Sequence, residues 1–125
     1  MDEKRRVYCG IDVIRISRIR AAAERRGFLE RVFTETELCY SFGKKSPYRH
    51  LAGRFAAKEA CLKALTTVLE GINWKDIEVV NSEDGSPALE FRAAAKSRLS
   101  GGRAFLSIAY TKDLAVASVV VERQG

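Results

Sequence analysis

The run YRHLAGRFAAKEACLKALTTVL, residues 48–69, constrains this chain more than any other stretch. It has no proline, one interior glycine near its start and mostly strong helix formers, so the sequence predicts one long helix there. At about 100° per residue, Leu51, Phe55, Leu62, Leu65 and Leu69 form one apolar stripe. Glu59 falls roughly 40° from the middle of that stripe, and Lys63 lies one turn further along on its side. A carboxylate at such an edge is neither freely solvated nor comfortably buried, and it stays charged by meeting a metal or an ammonium. Read as ordinary surface chemistry, Glu59 and Lys63 are an i,i+4 pair, with Arg54 and Lys58 carrying their charges out to water.

A chain of 125 residues, 46% apolar, has the material for one compact domain, 1–125, with a modest core. A site built against a neighbouring subunit suits a chain this small. Its 22 basic and 16 acidic residues leave a charge of +6. That balance favours a polyanionic partner, whether nucleic acid, phosphorylated cofactor or acidic protein. Cys9, Cys39 and Cys61 are odd in number and contain no CxxC, which supports neither a disulfide scaffold nor a zinc knuckle. The start MDEKRRVYCGIDV has no apolar signal core and no segment reaches membrane-spanning length, so cytoplasmic residence is expected.

Residues 7–16, VYCGIDVIRI, read as a strand with Asp12 set between Ile11 and Val13. That acid is either a strand-end or amide-capping residue, or a metal ligand. Ser17 reads as the N-cap of a short helix ending at Gly27. Its basic residues Arg18, Arg20, Arg25 and Arg26, with Arg15 just upstream, are either a solvated face or a docking surface for an acidic protein. FLERV follows, and Thr34 with Glu37 makes a capping box for a helix through Phe42. GKKSP, 43–47, is a loop whose Pro47 introduces the long helix.

After Gly71 the pattern turns extended. Strands at 76–80 and 89–91 flank the turn SEDGSP, with Gly85 as its left-handed residue. A helix at 93–99 ends at Gly101 and Gly102, and strands at 103–110 and 114–121 form a hairpin through TKD, with only the last few residues loose. The expected class is α+β: a long central helix with shorter helices packed on a small antiparallel sheet. Walker A, GxGxxG and HExxH sequences are missing.

Asp12 and Glu59 together suit Mg²⁺, a hard cation held by few protein carboxylates plus waters and phosphate oxygens. Arg54, Lys58 and Lys63 on nearby turns suit phosphates, which points to a metal-bound diphosphate as substrate. A Glu beside that metal can take a proton from an attacking hydroxyl, directly or through water.

GID at 10–12 and RFAAKEACLKA at 54–64 closely resemble the two signatures of the holo-acyl-carrier-protein synthases, small bacterial 4'-phosphopantetheinyl transferases. FTETEL, WKDIEV, DGSP and SIAYTKDLAVASVVVE are similar to that family in order and spacing, so the likeness spans nearly the whole chain. The resemblance implies that Asp12 and Glu59 bind Mg²⁺ against the coenzyme A diphosphate and that Glu59 helps activate the serine hydroxyl of an apo acyl carrier protein. Transfer of phosphopantetheine would release adenosine 3',5'-bisphosphate. Lys63 would steady the diphosphate, Arg54 and Lys58 would sit near the nucleotide phosphates, and Gly85, Ser86 and Pro87 would line the adenosine pocket. Arg15, Arg18 and Arg25 fall on the family's docking surface for the acidic carrier, and the family's homotrimer has its active sites at subunit boundaries.

The chain departs from the family pattern in three places. Thr66, Thr67 and Val68 stand where a GTG-like segment is usual, Ser86 replaces the Lys of GKP, and Tyr110 replaces a frequent His. Tyr110 still offers the nucleotide a hydrogen bond but no imidazolium. His50 reads as a surface or packing residue beside the helix start, Trp74 as a packing residue, and Cys9 and Cys61 as small buried hydrophobes. Two other readings stand beside the transferase: a carrier-binding paralogue without turnover, and a nucleic-acid-binding protein. The latter lacks a GXXG loop or paired strand aromatics, and acids at 12 and 59 would repel phosphate without a metal.

Overall fold

A computed structural model describes residues 4–124. The chain runs β1 (Arg5–Arg15), α1 (Ile16–Ala23), α2 (Phe28–Val32), α3 (Glu35–Phe42), α4 (Pro47–Ala64), β2 (Ile77–Asn81), β3 (Pro87–Phe91), α5 (Ala93–Arg98), β4 (Arg103–Tyr110) and β5 (Leu114–Gln124). This is the expected α+β architecture around one long helix. The antiparallel strands divide into two sheets, β1-β5-β4 and the hairpin β2-β3, and the first strand of the chain pairs with the last. β5 therefore reaches Gln124 where a loose tail was expected, and Gly125 lies outside the described residues.

Period-two alternation sorts β1 into two faces. Tyr8, Gly10, Asp12 and Ile14 turn inward, while Val7, Cys9, Ile11 and Val13 turn out. Cys9 is thereby exposed, against the expectation of burial. Cys61 is buried, and burial pushes its thiol up to about 12. α4 lies on the inner face under Ala115, Ala117, Val119 and Val121 of β5. Its own buried surface consists mainly of Leu51, Ala52, Ala56, Ala57, Ala60 and Cys61, with Phe55 and Leu62 only half-buried. A helix covered by a sheet on one side and by helices on the other uses small side chains so that both layers can close on it.

α4 stops at Ala64, five residues short of the predicted end. The β-branched run Thr66, Thr67 and Val68 disfavours helix, and the Thr66 hydroxyl donates back to the carbonyls of Leu62 and Lys63, both at 3.2 Å. Leu65 and Leu69 remain buried in the turns that follow. Ser17 likewise does not cap α1, which starts after Arg15 without a side-chain cap and ends at Ala23. The Thr34–Glu37 capping box is present.

Glu37 also reaches across the molecule. Its carboxylate accepts from Thr34 N at 2.9 Å, from Val79 N at 2.8 Å and from Lys58 Nζ at 2.8 Å. Lys58 gives its remaining protons to the carbonyls of Val32 at 2.8 Å and Trp74 at 3.2 Å. Both side chains are fully buried. An ammonium has three donors, and all three are used inside the fold, so Lys58 is not a ligand for nucleotide phosphates as expected. It ties α4 to α2, α3 and the start of β2. Lys58→Met would leave a buried carboxylate without its cation and should lower unfolding free energy by about 3–5 kcal/mol in denaturant titration. Adding Glu37→Gln should recover part of that loss.

Candidate active site

Asp12 comes to α4 because the strand has no side chain two residues earlier. A Cβ at Gly10 would fall on the carbonyl oxygen of Ala60 and lie 2.8 Å from Ala64 N. With glycine there, the helix rests on the strand backbone and presents Glu59 and Lys63 to Asp12. Lys63 Nζ donates to Asp12 Oδ1 at 2.6 Å and to Ile11 O at 3.3 Å, and the Asp12 side chain is 14% exposed. The expected Glu59–Lys63 pair is thus replaced by Lys63–Asp12. Burial, and then the charge of Asp12, push the Glu59 carboxyl above its ordinary value, with Lys63 and Arg18 acting the other way. The hydrogen bond to Asp12 pulls the Lys63 ammonium upward.

Two carboxylates that repel each other beside one exposed ammonium fit a divalent cation. They supply hard oxygen donors, leave room for waters and phosphate oxygens, and gain by neutralising their mutual repulsion. Among the described residues no group of three or more His, Cys, Asp or Glu side chains gathers, so the protein side of such a site is these two acids.

A second feature lies on the opposite side of α4. Arg54, Tyr110, Gly85 and Pro87 line one cavity of about 160 Å³, joined by Tyr40, His50, Asn81 and Ile108. Gly85 has a φ of 89°, the left-handed value expected of it. Ser86 is not among the lining residues: its amide and hydroxyl both donate to Asp84 Oδ1, at 3.0 and 2.6 Å. Arg54 is 3% exposed, and its guanidinium lies 4.2 Å from the centre of the Tyr40 ring. Burial works against its charge, opposed by Glu37 and the tyrosines. Its Nη2 donates to Asn81 Oδ1 at 2.6 Å, while its buried Nε has no acceptor among the described residues.

Sequence reasoning missed Asn81. Its amide also donates to Gly85 O at 3.1 Å, so one side chain fastens the arginine to the turn. Nothing local marks it, because Arg54 is 27 residues away. Next to this cavity, Arg20, Lys45, Arg49 and Lys112 line a larger one of about 380 Å³. Arg49 connects the two, with its guanidinium 4.5 Å from the centre of the Tyr110 ring. Arg15, Arg18 and Arg25 are exposed, and Arg18 is near enough to Glu59 to act on its charge.

Residues 8–117 match the model of the 4'-phosphopantetheinyl transferase superfamily. The chain belongs to this superfamily and, within it, to the holo-acyl-carrier-protein synthases, a family of enzymes. It is similar to the holo-[acyl-carrier-protein] synthase of Thermodesulfovibrio yellowstonii, 43% identical over 90% of this chain and 95% of the relative. The Shewanella baltica synthase is 42% identical over 94% and 98% of the two chains. Among solved structures, a Bacillus anthracis synthase in complex with CoA (3',5'-ADP) superposes with a TM-score of 0.78 at 37% identity, covering 94% of this chain and 96% of that one. A Chronobacterium ammoniagenes ACPS-CoA complex gives 0.83 at 27% identity, covering 96% and 99%.

Gly10→Ala would force α4 and β1 apart and separate Asp12 from Glu59 and Lys63. Divalent cation binding, followed with Mn²⁺ as a paramagnetic probe, should weaken by about 10-fold or more while the variant still unfolds cooperatively.

Proposed function

We propose that this protein transfers 4'-phosphopantetheine from coenzyme A to a serine hydroxyl of an apo acyl carrier protein, in a Mg²⁺-dependent reaction that releases adenosine 3',5'-bisphosphate. The observation that carries this reading is the Asp12–Glu59–Lys63 cluster, found in a chain of this family at the contact between β1 and α4. Asp12 and Glu59 hold the cation. When bound, it neutralises diphosphate charge and polarises the phosphorus under attack.

Glu59 accepts the serine proton, directly or through water. In the free protein burial and Asp12 raise this carboxyl above its ordinary value, and a bound cation would offset that rise, so its role as base rests on its position beside the attacking hydroxyl. Lys63 pairs with Asp12 and orients it in the free protein, and has an exposed ammonium to give to the diphosphate. The serine oxygen bonds to the phosphorus bearing pantetheine, and the bond from that phosphorus to the adenosine-side phosphate oxygen breaks. Such a transfer depends on positioning and charge neutralisation, which these side chains supply. Arg54, Tyr110, Gly85 and Pro87 receive the nucleotide end. Arg15, Arg18 and Arg25 meet the acidic carrier protein beside Glu59.

The acids and the nucleotide cavity belong to different copies in a homotrimer. Arg54 and Glu59 point about 140° apart around α4, which separates the two features within one chain. Val7, Ile11 and Val13 of β1 and Phe105 of β4 are each more than half exposed on the outer face of one sheet, a surface suited to a second copy.

Intact mass spectrometry of apo carrier proteins incubated with the protein, coenzyme A and Mg²⁺ tests the reaction. A phosphopantetheine-sized addition is expected, lost without metal and reduced at least about 100-fold in Glu59→Gln. No addition to any fatty-acid or polyketide carrier, with folding and carrier binding intact, would overturn the reading. Arg18→Glu should chiefly raise KM for the carrier. Mixing inactive Glu59→Gln with inactive Arg54→Ala should restore activity, because shared sites then combine the intact halves of two copies.

A further inference from the structure

His50 is the only histidine of the chain, and in sequence it reads as a surface or packing residue. The fold puts it in the cavity of Arg54, Asn81, Gly85, Pro87 and Tyr110. Its ring lies edge-on between two tyrosines, 5.7 Å from the Tyr40 centroid and 6.2 Å from that of Tyr110. Among the described residues neither ring nitrogen has a protein hydrogen-bond partner. The charged groups acting on it are all cations: Arg54 and Arg49 from its own helix, and Lys44 from the preceding loop. α3 and β4 contribute the phenols of Tyr40 and Tyr110, and among the described residues no carboxylate acts on the imidazole. Burial, then these cations, hold His50 below its ordinary value. Arg54, which lines the same cavity, has a buried Nε without an acceptor among the described residues, so two nitrogen-bearing side chains of this cavity have unmet hydrogen bonds.

We propose that His50 reads a phosphate group of the nucleotide in this cavity, its imidazole taking up a proton as that phosphate enters. The proposal rests on coenzyme A being the ligand. An anion reverses the local balance, because it gives the imidazolium a charged acceptor and screens it from Arg49, Arg54 and Lys44. Linkage sets the sign. His50 is more basic in the complex than in the free protein, so between those two values binding consumes a proton and affinity rises as pH falls. Above the higher value, or below the lower, affinity is flat with respect to this group.

A single histidine makes the test direct. In the untagged full-length protein its Cε1–H resonance is unambiguous, and an NMR titration from pH 5 to 8.5 should show its midpoint moving upward when coenzyme A saturates the protein with Mg²⁺ present. Calorimetry in buffers of different ionisation enthalpy should find up to roughly one proton taken up per coenzyme bound. His50→Phe preserves the aromatic edge contacts and should abolish the uptake, raise KM for coenzyme A at pH 6.5 by about 3- to 10-fold and flatten its pH dependence. Dephospho-coenzyme A, lacking the 3'-phosphate, separates the sources. If it leaves the His50 midpoint unmoved, the monoester is the phosphate read; if the shift persists, the diphosphate is. Coenzyme A that binds without moving the His50 midpoint overturns the proposal and leaves the transferase reading standing. Coenzyme A that does not bind at all overturns both.

Discussion

The structure depends on how closely α4 approaches the sheet. At one edge strand, β1, Gly10 lets the Ala60 carbonyl rest against the strand backbone. At the other, β4, the missing side chain is on the helix: a Cβ at Gly53 would run into the Tyr110 hydroxyl. Between these contacts Ala56, Ala57 and Ala60 are buried without holding the layers apart. Each glycine contact lies beside one of the two functional features. Gly10 brings Asp12 to Lys63 and Glu59, and Gly53 admits the tyrosine that walls the cavity containing Arg54. Small residues sacrifice buried area per side chain, and here they set where charges meet.

Four charged residues of α4 within ten positions meet four different environments. Lys58 is sealed in with every proton donated. Arg54 is almost as buried, yet keeps an unused nitrogen beside a cavity. Glu59 is half-buried and lifted by its surroundings, and Lys63 is exposed and tied to Asp12. A buried charge with complete hydrogen bonding stabilises and positions; one left incomplete has interaction to offer a ligand. By that criterion Lys58 is structural, and the other three are the candidates for ligand contact.

What could be read from the sequence was mostly local. The capping box at Thr34 and Glu37, the left-handed Gly85 and the hairpin joining residues 103–110 to the last strand are set by residues within a few positions of one another. Asp12 and Glu59 stood out because acids among apolar neighbours need partners. The end of α4 was misread because Leu65 and Leu69 continue the apolar spacing, while the β-branched residues between them end the helix. Lys58 was misassigned because its partner Glu37 lies 21 residues away, and a lysine one position from a reactive glutamate looks alike whether it points in or out. Cys9 and His50 turned on strand pairing and on helix packing, which no window of sequence contains.

The two features pose a geometric problem for one chain. Arg54 and Glu59 are separated by about 7.5 Å along the helix axis and by more than a third of a turn around it. A coenzyme lying in the cavity of one copy would have to cross the body of α4 to bring its diphosphate to that copy's own acids. The outer face of the β1-β5-β4 sheet separately exposes Val7, Ile11, Val13 and Phe105, an apolar surface that a protein of charge +6 does not need for solubility. One observation concerns the direction of side chains, the other the cost of wetting a sheet. In the proposed homotrimer, packing that face against further copies would answer both: it would bury the apolar residues and bring a second copy, with its own cavity, next to the strand that carries Asp12.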